Sequence, residues 1–236
     1  MRYPSGVGRR PRHEERRRVS LPTGHPAPDR RRGPGGRRRA PGLPALDRGA
    51  VRDDPILSEP VLRGRRVFLR PPAAHDRDAF LALNRASVRA HRGLAHPATT
   101  PGRYDEFLAK SKRPDEASFL IFRAEDDAVL GSIRLSVIVR GAFQSAFLGY
   151  MIGAPYLRRG YMTEALQLLL GYAFRELKLH RVEANILPGN DASLALVRRA
   201  GFQREGFSRR YLKIGGRWRD HERWALLREE WRPARR

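Results

Sequence analysis

The most constraining feature of this sequence is a strand, a short loop, a long helix and a second strand that follow one another closely near its centre. Ala146–Ile152 (AFLGYMI) has the composition of a strand, and so does Arg181–Leu187 (RVEANIL). Between them, Gly160–Leu177 carries Ala165, Leu166, Leu169, Leu170, Ala173, Phe174 and Leu177 as one wide apolar stripe at helical spacing. A helix with that stripe has to bury it on a sheet. The chain therefore holds a strand–helix–strand crossover at its centre.

The flanking segments fill in the rest. Arg66–Arg70 is a short strand closed by Pro71-Pro72. Asp76–His91 places Phe80, Leu83, Ala86 and Val88 at near-helical spacing. Pro97 and Pro101 are expected to break the chain before a second helix over Tyr104–Lys112. Ser118–Arg123 and Val129–Arg140 are strands around the turn Glu125-Asp126-Asp127. Asn190–Ala200 is a helix ended by Gly201. Gly206–Ile214 and Arg219–Leu227 form a hairpin about Gly215-Gly216. The expected class is α+β, a mixed, mostly antiparallel sheet with flanking helices.

Residues 1–55 differ from this pattern. Arg, Pro and Gly dominate, and Tyr3 is the only aromatic residue before Phe68. Such a segment cannot bury enough apolar surface to offset its chain entropy. It is expected to be a disordered basic leader, with one domain over residues 56–236. A net charge of +23 first suggests nucleic acid. Yet both parts of the chain are basic, and only four of the basic residues are lysine (Lys110, Lys112, Lys178 and Lys213). This bias suits GC-rich codon usage better than selection for phosphate contacts, although it allows loose attraction to RNA-rich particles. The lack of cysteine excludes disulfides, thiolate zinc sites and cysteine nucleophiles. No apolar run approaches the roughly 20 residues of a membrane span. The cytoplasm is the expected location, and neither membrane nor metal is expected as a partner.

The segment Tyr156–Ala165 (YLRRGYMTEA) carries the chemistry. The first amides of a helix lack partners within it, and the helix dipole adds partial positive charge there. A pyrophosphate would accept several of these N–H groups, and Gly160 allows close backbone approach. Arg158 and Arg159 add charge and Thr163 a hydroxyl, although both arginines equally fit a solvated loop. Downstream, Asn190-Asp191-Ala192-Ser193 opens a helix with Asn190 as the N-cap residue. Capping accounts for Asn190 but not for Ser193.

Together these segments resemble the GNAT acetyltransferase superfamily, and more closely its ribosomal-protein-alanine N-acetyltransferases of the RimJ/RimL type. Val139–Phe143, Leu148–Tyr150, Met162–Ala165, Leu179–Asn185 and Trp218–His221 match in the same order, and the likeness covers about residues 60 to 232. It implies acetyl-CoA as co-substrate and the N-terminal amine of a protein, a ribosomal one, as acceptor. The backbone of Tyr150, Met151 and Ile152 would pair with the pantetheine arm. The amides of Arg158, Arg159, Gly160, Tyr161, Met162 and Thr163 would hold the pyrophosphate, and Asn190 and Ser193 would line the opposite wall near the thioester. Leu157 and Met162 depart from the superfamily loop. Val197 stands where many relatives have a proton-donating tyrosine; Ser193 is the best substitute, with solvent, Tyr150 and Tyr211 as alternatives.

A free α-amine titrates at about 7.7–8.0, so a weak base suffices for it. The candidates are Glu205, Asp220, His221 and Glu222, with Glu205 ranked first because it follows Phe202 at the start of a strand expected to line the cleft. Two other readings compete: the same fold acting on a small amine, and a nucleic-acid-binding or ribosome-assembly protein. Basic residues at Arg103, Arg209, Arg210, Arg217 and Arg219 disfavour a polycationic acceptor.

Overall fold

Eight strands make one sheet, and its two faces bury different helices. The computed structural model describes residues 61–94 and 97–233, so the expected leader over residues 1–55 lies outside the described residues. The elements are β1 (Leu62–Arg63), β2 (Val67–Arg70), α1 (Arg77–Ser87), α2 (Pro101–Ser111), β3 (Glu116–Arg123), β4 (Val129–Val139) and β5 (Ser145–Ile152). They continue with α3 (Tyr161–Gly171), β6 (Arg181–Ile186), α4 (Asp191–Arg199), β7 (Gln203–Ile214) and β8 (Arg217–Leu227). The sheet order is β1-β2-β3-β4-β5-β6-β8-β7. Only the β5–β6 pair, joined through α3, is parallel.

Strand side chains alternate between faces, and the burial follows that rule. Phe119 and Ile121 of β3, with Ile133 and Leu135 of β4, pack with α3 and α4. Leu120 and Phe122, the alternate residues of β3, pack with Phe80 and Leu81 of α1 and Tyr104 of α2. Tyr104 is fully buried, and its hydroxyl donates to the Ala73 carbonyl at 2.6 Å, which makes that burial tolerable. Each fully buried Leu, Ile or Phe contributes on the order of 1.5–3 kcal/mol. The two apolar layers hold the sheet between them.

Three elements differ from the sequence pattern. Pro101 does not break the chain but starts α2, at a position where its missing N–H costs nothing. The long central helix stays α-helical only to Gly171 and then widens into a π-helical turn, Tyr172–Glu176. That turn keeps both Ala173 and Phe174 buried, with the Phe174 ring 5.6 Å from Trp231. The hairpin strands reach the turn directly, because Ile214 pairs with Arg217 across Gly215-Gly216. Both glycines have positive φ, as a tight two-residue hairpin requires.

One strut fixes the start of α3. The Glu164 carboxylate accepts the Arg66 backbone N–H at 2.8 Å and its side-chain Nε at 3.2 Å. Burial alone would raise the Glu164 pKa, but hydrogen bonds from Arg66 and from the Arg65 and Val67 amides outweigh it and hold the carboxyl below its ordinary value. Glu164→Ala is expected to cost about 1–3 kcal/mol at pH 7, since it strands amides that the carboxylate now satisfies. A folded pKa below the unfolded value gives stability that is fully present above about 4.3 and is lost as pH falls through the folded value. Urea unfolding of both proteins should therefore show a gap at neutral pH that narrows in acid.

Candidate active site

The site begins where β5 and β6 part. They pair only from Ser145 to Phe147 against Arg181 to Glu183. Beyond that point β5 continues with β4, and β6 continues with β8. The gap leaves one edge of Leu148–Ile152 without a strand partner. Successive strand residues turn their backbone groups to opposite sides. The Ile152 carbonyl faces the gap side, because it accepts from His91 Nε2 at 2.9 Å, while the Gly153 amide donates to Leu130 across β4. By alternation the Tyr150 and Ile152 amides face the gap, and those of Met151 face β4. Of the three residues expected to pair with a pantetheine arm, Tyr150 has both backbone groups facing the gap, Ile152 has its carbonyl engaged, and Met151 points away.

At the wide end of the gap the chain turns into α3. Arg158 and Gly160 both have positive φ, 59° and 79°, on either side of Arg159. Among the described residues, no carbonyl or side chain accepts from the amides of Arg158 through Thr163, and the first helical bond runs from the Glu164 N–H to the Gly160 carbonyl. Successive free amides in such a turn at a helix N-terminus form a concavity for an anion. Arg66 Nη1 donates to the Arg159 carbonyl at 3.2 Å and holds the turn in shape. A Cβ on Gly160 would sit 3.0 Å from Arg66 Nη2, so a side chain there meets the guanidinium rather than the cradle itself. Gly160→Val is therefore expected to distort the turn through its φ and through Arg66. A loss of tenfold or more in affinity for acetyl-CoA, about 1.4 kcal/mol, is expected by titration calorimetry.

The cleft, about 710 Å³, passes through the sheet. Asn190 and Ser193 line it on the α3–α4 side, and Arg103, Glu106, Phe107 and Lys110 of α2 line it on the other. Asn190 caps α4, its Oδ1 accepting the Ser193 N–H at 3.3 Å, which leaves the Ser193 hydroxyl to the cleft. Tyr150, also in the lining, has a buried hydroxyl with no well-formed hydrogen bond among the described residues. Burial pushes its pKa up, and the neighbouring Ser193 hydroxyl pulls it part of the way back. Asn185 Oδ1 is a second buried cleft atom without a partner. Two such atoms in one cleft fit a polar ligand that completes them.

Of the four candidate bases, the structure brings only His221 into the lining. Trp224 and Leu226 of β8 belong to the α3–α4 core, so His221, three and five residues away, faces the α1–α2 side. Its side chain is 2% exposed, and its Nδ1 lies 3.0 Å from the Arg219 carbonyl. A carbonyl can only accept, so Nδ1 carries the proton and Nε2 is an open acceptor in the neutral ring. Burial lowers the His221 pKa and keeps that ring neutral. Glu205, ranked first from sequence, is not brought to the cleft: it pairs with Arg181 beside the closed end of the β5–β6 pair. Asp220 accepts the Arg210 amide, and Glu222 accepts from Arg204 and from Trp224 Nε1. Val197 is fully buried in the core. The sequence signal for His221 was its place at the end of the Trp218–His221 segment, opposite in parity to the buried Trp224. The Arg66–Glu164 strut had no such signal, since its partners are 98 residues apart.

A sheet that opens between two parallel strands, with free amides at the next helix, suits a phosphate-bearing ligand. The family model described as the acetyltransferase (GNAT) domain matches residues 66–203, and the chain belongs to that family. It is an acetyl-CoA-dependent N-acetyltransferase. The "Probable N-acetyltransferase YjcK" of Bacillus subtilis (strain 168) is 37% identical over 176 residues, covering 71% of this chain and 97% of that protein. The ribosomal protein uS5-alanine N-acetyltransferase of Escherichia coli (strain K12) is 33% identical over 171 residues, covering 68% of this chain and 88% of that protein. The structure of Mycobacterium smegmatis RimJ in complex with CoA-disulfide is 29% identical, with a TM-score of 0.63, covering 73% of this chain and 86% of that one. Among the described residues, no helix is long and apolar enough to cross a membrane.

Proposed function

We propose that this enzyme acetylates the N-terminal α-amine of a protein, alanine-type and ribosomal, in the cytoplasm. The observation that carries this reading is His221, a buried, neutral histidine of lowered pKa on the α1–α2 face of the cleft. So weak a base suits an α-amine, of which roughly a tenth to a fifth is already neutral at pH 7. A lysine amine near 10.4 would need over three units of help.

Acetyl-CoA supplies the thioester, and the amides of Arg158 to Thr163 would hold its pyrophosphate. The acceptor enters from the α1–α2 face. His221 Nε2 takes the proton that the amine nitrogen sheds as it bonds to the acyl carbon. The Tyr150 amide faces the gap and holds the negative charge that develops on the acyl oxygen. Ser193, with Tyr150 beside it, returns a proton to sulfur as the carbon–sulfur bond breaks. The test is thiol release from acetyl-CoA with short peptides differing only in residue one, run beside spermidine and an aminoglycoside. Turnover of an alanine-first peptide above both small amines is expected. Turnover of the small amines alone would sink the reading.

A further inference from the structure

We infer that the acceptor groove selects chains carrying carboxylate side chains shortly after the acetylated residue, an inference that rests on the peptide-acceptor reading above. On α2, Arg103, Glu106, Phe107 and Lys110 follow a helical spacing that turns one face to the cleft. Arg134 joins them from β4. At 1.5 Å per residue, the stripe from Arg103 to Lys110 is about 10 Å long, the reach of about three extended residues. The groove does not stop there. A second hollow, lined by Arg89 and Arg92, shares Pro97 and Arg103 with the main cleft. Five cations thus face one acid, Glu106, along the path away from His221.

A basic chain has basic surfaces, so what marks this one is that five cations line two adjoining hollows that hold a single acid. Some arginines outside the groove are neutralised where they stand: Arg70 by Asp76, Arg113 by Asp115, Arg123 by Asp126, Arg181 by Glu183 and Glu205, and Arg204 by Glu222. Others, such as Arg217 and Arg219, form no ion pair among the described residues. Among the described residues, none of Arg89, Arg92, Arg103, Lys110 and Arg134 forms an ion pair within 4.0 Å. Glu116 lies near Arg134 and Lys110, but burial raises its pKa and it stands outside the groove lining. The unspent charge therefore faces the space that the acceptor occupies, and a chain with carboxylates at its second to fourth residues complements it.

The test uses the full chain, acetyl-CoA and three alanine-first peptides that carry Glu, Gln or Lys at residues two to four. At low salt, kcat/KM for the Glu peptide should exceed that for the Gln peptide by about tenfold, the effect of two or three exposed charge pairs. High salt should shrink the preference, and so should Arg103→Gln with Lys110→Gln, which should lower kcat/KM for the Glu peptide more than for the Gln peptide. Equal rates for all three peptides, or a preference for the Lys peptide, would overturn the inference while the peptide reading stands. No turnover of any of them, with acetyl-CoA still bound, would overturn the peptide reading and the inference with it.

Discussion

Replacing His221 by alanine is expected to lower kcat by about 10²- to 10³-fold, within the range of general base catalysis. The KM for acetyl-CoA should hardly move, because the cradle at Arg158–Thr163 lies on the opposite side of the sheet from the His221 ring. The pH profile separates a chemical role from a packing role. His221 acts in its neutral form, and burial lowers its pKa. In the wild type, His221 should therefore cause no loss of rate of its own as pH falls past 6.5, and should add a further drop only when the ring finally protonates. The acceptor amine titrates higher, at about 7.7–8.0, so its limb is distinct. His221→Ala should lose the lower limb and keep the upper one. A variant that keeps the lower limb would assign it to another group, and circular dichroism must show that the variant is folded.

The second large effect concerns the proton that leaves with sulfur. Ser193→Ala is expected to lower kcat by about 10²-fold with the KM for acetyl-CoA unchanged. Tyr150→Phe should cost a similar factor, because its phenol is buried, stays protonated at neutral pH and lies against Ser193. If the two hydroxyls act as one unit, the double variant should be little worse than either single one. A purely positioning role for Ser193 predicts a raised KM with kcat preserved. Full additivity would show two independent contributions. An unchanged kcat in both variants would leave solvent as the donor.

The legible parts of this protein were those governed by local periodicity. The apolar stripe of α3, the Gly215-Gly216 turn and the Asn190 cap all act within a few residues, and all are found where the sequence puts them. Features set by distant residues were not legible. Pro101 reads as a breaker or a helix start depending on whether Tyr104 is buried, and only the fold supplies that burial. The π-helical turn carries Phe174 against Trp231, 57 residues later, a contact no local pattern announces. Glu205 looked like a base because it follows Phe202 into a strand, yet strand register carries it to Arg181. The choice among Asp220, His221 and Glu222 turned on which face of β8 each occupies. That parity follows from the β6–β8 register, which pairs Ala184 with Trp224.

The most direct test of the central claim is the position of the acetyl group on a peptide that offers both kinds of amine. An alanine-first peptide with one internal lysine would be incubated with the full chain and acetyl-CoA, and the product would be sequenced by tandem mass spectrometry. The expected product carries a single acetyl group on the α-nitrogen of residue one, with the lysine free, because a base as weak as His221 serves the α-amine alone. Acetylation at the lysine ε-nitrogen, or no acetylated peptide while spermidine is consumed, would contradict it.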